Sequence, residues 1–334
     1  MTAFLRFVTL RAFLAFVTLV TVSIVIFGMM ELVPGDCAER YLALKQTQGA
    51  SISLSELEAE RERLGLDRPL MVRWLEWITG AFRGDFGESC TLRMNITTLV
   101  GTKFLISSAL SVTALLLAYA VAIPVGMISA ASDRPVLNGT LRVISYLGLA
   151  IPNFLLALLV MLFSTLWFGE TLTGLFSPAY RDAPWSGAKF ADLLGHIWLP
   201  ILVLGWSATA FALQTVRALM SDEVGKLYVT AARARGLSGA ALLWRYPARH
   251  ALPPIVNSLG FDLSRVFSDL PIVALILSLT DVGSLLIESL ARANDQQLAG
   301  AIIFLLTATI VTLNFATDVL LAAIDPRVRA GVIG

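Results

Sequence analysis

Five stretches of this 334-residue chain run without a single Asp, Glu, Lys or Arg: 12–30, 104–132, 143–169, 197–216 and 298–317. A helix that crosses a bilayer needs about 20 predominantly apolar residues, so each stretch is long enough to span. A sixth, 253–280, is apolar at both ends but holds Asp262, Arg265 and Asp269 in its middle, and we count it as a span. Only 15% of the chain is charged, against about 25% in soluble domains. Too few charges remain to solvate a surface, which excludes a soluble enzyme, a disordered chain and a nucleic-acid binder with a basic face.

The predicted order is a terminus at 1–11, a first span at 12–33, a long polar segment at 34–102, and spans at 103–132, 142–168 and 197–219. A loop at 220–252, a fifth span at 253–280, a sixth at 298–324 and a terminus at 325–334 complete it, with polar loops at 169–196 and 281–297. The first span follows Arg6 and Arg11 but is succeeded by Glu31 and Leu32-Val33-Pro34-Gly35-Asp36, not by a small-residue cleavage site, so it reads as a retained helix.

Six spans put both ends on one side. With the ends inside, the inner segments hold 12 Lys or Arg against 4 acids and the outer ones 12 against 17. Short loops with a basic excess stay in the cytoplasm, so both termini are predicted cytoplasmic. Cys37 and Cys90 then both fall in the outer segment 34–102, where disulfides persist. They are candidates to pair, and equally candidates to be two small apolar residues.

The outer segment is too polar for lipid and is patterned as a small helical cap. Ser53 and Glu56 form a capping-box signature ahead of a charged helix that stops at Gly65, and Pro69 suits the first turn of another. On that second helix Leu70, Trp74, Trp77, Ile78 and Ala81 recur at helical spacing. The face can lie in the lipid headgroup layer or pack on the protein's own helices.

The stretch from Tyr228 to Pro254 is basic and rich in small residues. Its alanines favour helix and Gly236 permits a turn, which predicts a short helix, a glycine turn and a second helix ending before Pro247. In this loop Tyr228, Val229, Ala232, Arg233, Ala234, Gly236, Leu237 and Ser238 match a pattern that reads roughly Y-V-x-T-A-R-A-K-G-L-S, with Arg235 in place of lysine. The loop thereby resembles the EAA loop of permease subunits of binding-protein-dependent ABC importers, in the peptide and nickel branch of the oligopeptide and dipeptide permease B type. Thr230 stands where the general pattern has glutamate, an acid this branch often lacks.

The resemblance extends from about residue 5 to 329. It takes in Leu32-Val33-Pro34-Gly35-Asp36, with Cys37 where proline is usual, Leu64-Gly65-Leu66-Asp67-Arg68-Pro69-Leu70, and Gly84-Asp85-Phe86-Gly87-Glu88-Ser89. Pro124-Val125-Gly126, Ile151-Pro152-Asn153-Phe154, His196 with Leu199-Pro200, Asn314, Asp318 and Asp325-Pro326-Arg327-Val328-Arg329 continue it.

The resemblance implies an all-α integral membrane protein of the type I ABC importer permease class, with six transmembrane helices and an external helical cap between the first two. Its place would be the bacterial cytoplasmic membrane. Its partners would be a paralogous permease subunit, two ABC ATPase subunits and an external substrate-binding protein, and its cargo a short peptide, with nickel chelates and oligosaccharides carried by similar permeases. Tyr228, Ala231, Ala232, Arg233, Arg235 and Gly236 would form the ATPase-coupling loop, and the helix before Gly236 would dock on the ATPase. No G-x-x-x-x-G-K-[ST] occurs in the chain, so this subunit is not expected to hydrolyse ATP. It is expected to bind no cofactor, ATP and Mg residing on partner subunits. His196 and His250 sit at span ends, and two histidines alone make no metal site.

The fifth span departs most from the family. Asp262, Arg265 and Asp269 are spaced three and four apart, hence along one helix face. A charge at mid-membrane costs about 2.5–3.5 kcal/mol or more, so this face should meet protein or water. It is a candidate lining of the translocation path; the other reading is a self-neutralising ladder in which Arg265 pairs both acids. A secondary transporter acting alone, with these residues as an ion relay, is the alternative from a different class. The hydropathy pattern lacks the internal repeat and paired broken helices expected of one.

Overall fold

The computed structural model describes residues 2–47, 49, 53–169, 173–181 and 183–324. The ending Asp325-Pro326-Arg327-Val328-Arg329 and the 325–334 terminus lie outside the described residues. The fold is all-helical, with no strand among the described residues beyond a lone bridge between Glu88 and Asn95. In chain order come α1 (Thr2–Leu32), α2 (Cys37–Thr47), α3 (Leu54–Arg63), α4 (Leu70–Phe82), α5 (Ile96–Ala131), α6 (Pro135–Ala150) and α7 (Asn153–Phe168). There follow α8 (Gly187–Val224), α9 (Leu227–Ala234), α10 (Gly239–Arg245), α11 (Pro247–Ile276), α12 (Val282–Ala291) and α13 (Gln296–Ile324).

Four of these, α1, α5, α8 and α13, are each long and apolar enough to cross a membrane. The single helix expected over 142–168 is instead a bent pair, α6 and α7, broken by 100°. Pro152 has no N–H to continue the ladder and biases Ile151 toward extended backbone, where its φ of −90° and ψ of 113° lie. Helix α11, expected as the fifth span over 253–280, has 30 residues, and with Asp262, Arg265 and Asp269 along it, it is not among the helices apolar enough to cross a membrane on composition alone.

The chain divides into two compact units, one formed from 12–107 and 280–312, the other from 1–11, 108–279 and 313–334. In the first, the cap unit, Ser53 Oγ accepts from the Glu56 N–H at 3.3 Å and Glu56 Oε2 from the Ser53 N–H at 3.1 Å, which starts α3 as the sequence pattern predicts. Trp77, Ile78 and Ala81 of α4 are buried, while Leu70 is exposed. Trp77 lies edge-on to Phe304 at 5.4 Å and 6.0 Å from Phe27; Trp74 Nε1 donates to Ser23 Oγ at 3.2 Å. The inner part of the tryptophan face is therefore packed on the protein's own helices.

The second, the bundle unit, holds α6 to α11 with most of α5 and parts of α1 and α13. Lipid tails are as apolar as leucine, so helices in a membrane associate through close contact and not through escape from water. Gly205 of α8 shows this: a Cβ there would stand 3.2 Å from the Ala114 carbonyl oxygen of α5, closer than ordinary van der Waals contact with a backbone atom. Near the ends of α1 and α13, Arg11 Nη1 pairs with Asp318 at 3.3 Å.

Candidate functional site

Two features of the bundle unit gather the polar chemistry. The first is the charged face of α11. Asp262 is fully buried and its Oδ2 accepts from the Tyr119 hydroxyl of α5 at 2.6 Å; Ser258 Oγ, one turn earlier on α11, lies 2.9 Å from the same hydroxyl. Asp262 Oδ1 has no hydrogen-bond partner. Asp269 Oδ2 accepts from Asn153 Nδ2 at 2.9 Å.

Asn153 opens α7 immediately after the Pro152 break. It is buried, and its Oδ1 accepts from the Ser207 N–H of α8 at 3.4 Å. A helix start carries unsatisfied N–H groups and the positive end of the helix dipole, which favours a carboxylate nearby. Between the two acids Arg265 lies with its guanidinium carbon 5.4 Å from the Phe211 ring centre of α8. Its Nη1 is buried without a partner. No ion pair within 4 Å joins Arg265 to an acid among the described residues, so the direct pairs of the ladder are not made and the three charges act on one another only through space. The acids are satisfied by a tyrosine and an asparagine instead.

The second feature is the loop at 220–252. Arg235 N–H bonds to the Ala231 carbonyl at 3.3 Å and Gly236 N–H to the Arg233 carbonyl at 2.9 Å, closing α9. Gly236 has φ +89°, a region that costs a residue with a side chain about 1–2 kcal/mol. This turn folds α10 back so that Val229, Ala232 and Leu242 form a small buried core flanked by Tyr228, Leu237 and Tyr246. Glu223, just before the loop turns, receives Lys226 Nζ at 2.5 Å and the Tyr228 hydroxyl at 2.6 Å. Those two bonds, Lys226 first, hold the Glu223 carboxyl below its ordinary range, while burial and then Glu223 push the Tyr228 hydroxyl up. The Tyr228 ring sits 5.1 Å from His250, and Arg235 Nη2 reaches the Tyr246 hydroxyl at 3.2 Å.

The six coupling-loop residues read from the sequence thus fall into two sets. Tyr228 and Ala232 face inward and build the loop; Ala231, Arg233, Arg235 and Gly236 face outward, beside Leu227, which is 87% exposed. In the cap unit Cys37 and Cys90 are bonded, with Cα atoms 5.1 Å apart.

Tyr119, Asn153, Ser258 and Phe211 escaped the sequence reading as members of the charged site. Tyr119 is the sole tyrosine of the uncharged run 104–132, and Asn153 follows the proline at the break between α6 and α7; those are the signals that could have found them.

Comparison with known proteins matches residues 122–330 to the model of the binding-protein-dependent transport system inner membrane component, and residues 4–94 to the N-terminal model of the same kind of membrane component. A putative peptide permease protein of Brucella suis is 30% identical, across 97% of this chain and 99% of its own length. The dipeptide transport system permease protein of Escherichia coli is 27% identical over the same shares. A glutathione transport system permease protein of Salmonella choleraesuis is 27% identical, covering 93% of this chain and 95% of its own.

Proposed function

The chain belongs to the family of binding-protein-dependent transport system inner membrane components, and from that premise we propose that it forms half of the translocation path of an importer of short peptides. As a member it is a non-catalytic, multi-pass subunit of an ABC importer in the inner membrane, working with an ATPase and a substrate-binding protein. The full complex pairs this chain with a paralogous permease and two ATPase subunits that bind ATP and Mg. Six spans cross the membrane, α6 with α7 as one broken span and α11 as another, and both termini are cytoplasmic.

Coupling runs through α9 and α10. The observation that carries this is a loop with a core of its own, Val229, Ala232 and Leu242, which holds its shape while presenting Leu227, Ala231, Arg233 and Arg235 outward. A rigid protrusion transmits displacement to the helices it joins, here α8 and α11; a floppy loop does not. Because α11 carries Asp262, Arg265 and Asp269, motion at the loop reaches the charged face directly. That face lines the path. The peptide cargo is supported by the names of the relatives, among them peptide, dipeptide and glutathione permeases.

The test is to purify the tagged chain from membranes that express its neighbouring genes and to assay ATP turnover in lipid with and without the candidate binding protein. Recovery of an ATPase with binding-protein-stimulated turnover supports the reading. Recovery of the chain alone, moving solute down an ion gradient, removes it.

A further inference from the structure

The three charges of α11 are not equivalent. Asp262 is held by Tyr119 at 2.6 Å and Asp269 by Asn153 at 2.9 Å, so each acid has a neutral donor fixed in place by another helix. Arg265 lies between them with no carboxylate bound to it and with Nη1 buried and unpartnered. It rests on the face of Phe211, whose ring is 6.5 Å from that of Phe261. A stacked guanidinium loses much of its freedom before any ligand arrives, and its fork of N–H groups matches a carboxylate in two parallel bonds. A buried guanidinium N–H left without an acceptor in a membrane span is costly, and an anion that bonds it relieves that cost. Neither acid of its own helix face bonds it among the described residues, although both act on it through space, so a carboxylate that bonds the guanidinium directly must come from elsewhere.

Building on the importer reading, we propose that Arg265 is the site at which the path recognises a free carboxylate of its cargo, the C-terminal carboxylate in the case of a short peptide. Asp262 Oδ1, also buried and unpartnered, stands about one helical turn from it. It offers an acceptor to an amide N–H or ammonium of the same solute. The site therefore accepts zwitterionic solutes and turns away those whose carboxylate is capped.

The experiment uses the complete transporter in proteoliposomes with its own binding protein, loaded with either a dipeptide or the C-terminal amide of that dipeptide. The quantity read is the acid-to-amide uptake ratio of a variant divided by that of the wild type, so that selection by the binding protein cancels. For Arg265→Gln the ratio falls about tenfold or more, the scale of losing a charged hydrogen-bond pair. For Arg265→Lys, which keeps the charge and loses the fork, it falls by less; this second variant serves if the glutamine variant does not assemble. A ratio unchanged in an active variant overturns the proposal and leaves the importer reading standing, as does an equal loss of both substrates, which would make Arg265 an assembly residue. A wild-type complex that takes up neither substrate with ATP overturns the importer reading, and this proposal with it.

Discussion

Asn153, the first residue of α7, donates its side-chain amide to Asp269 of α11 across 116 positions of sequence. A broken span and a charged span are thereby one structural device: the bend at Pro152 delivers a polar side chain to an acid that would otherwise lie unpaired inside the bundle. Asn153→Ala removes the donor and leaves a half-buried carboxyl oxygen without it, which costs about 1 kcal/mol. We expect a lower melting temperature for the purified subunit, with Asp269→Asn milder because an amide there can still bond. An Asn153→Ala protein that melts with the wild type would show that the contact carries no weight.

Gly236 sits at φ +89° with nothing within 4 Å of where its Cβ would be. A substitution there therefore acts through backbone strain and not through a clash. Gly236→Asp is expected to insert and assemble, since the small core of Val229, Ala232 and Leu242 is untouched, but to tilt α9 and abolish transport-coupled ATP turnover. Normal transport by this variant would remove the coupling role of the loop.

The membrane character of the fold was legible because an uncharged run of 19 residues or more is long enough to span a bilayer and too apolar to face water. The cap's α3 and the α9–α10 turn were legible from local chemistry at Ser53, Glu56 and Gly236. The 100° break was not. Proline alone does not announce it: Pro124 and Pro200 sit inside α5 and α8, which continue through them, because neighbouring groups in a membrane bundle can satisfy the freed carbonyls. Only the tertiary position of Asn153, against α8 and Asp269, distinguishes Pro152. The partners of Asp262 and Asp269 lie 143 and 116 positions away, beyond any local pattern. Spacing alone suggested Arg265 as partner to both acids; the structure gives each acid a donor from another helix.

The bond between Cys37 and Cys90 closes a loop of 53 residues that contains α2, α3 and α4. Closing a loop of that size stabilises a fold by about 2–4 kcal/mol. Cys37→Ser with Cys90→Ser should therefore leave the spans inserted but make the 34–102 segment more sensitive to protease added outside. Equal cleavage rates for oxidised and serine-substituted protein would contradict this. The segment has other ties, including Ser89 Oγ to Asp295 at 2.5 Å and Arg73 to Glu31 at 2.6 Å, so loosening and not loss of the fold is the expected extent.

The Glu223 cluster gives the loop a defined pH response. Its carboxyl is held below the ordinary value of 4.5 by Lys226 and then by Tyr228, so the folded state binds the proton less readily than the unfolded one. Stability from this group is therefore fully present above pH 4.5 and is lost as pH falls through the lowered folded value. Hydrogen exchange at the α9 amides reports it: protection should be flat from neutral pH to about 4.5, then decline below that. Glu223→Gln should begin with weaker protection at neutral pH, because the charge-assisted bond from Lys226 is gone, and should lack the acid-dependent step. A wild-type profile without that step, or a Gln variant that keeps it, would place the titrating group elsewhere.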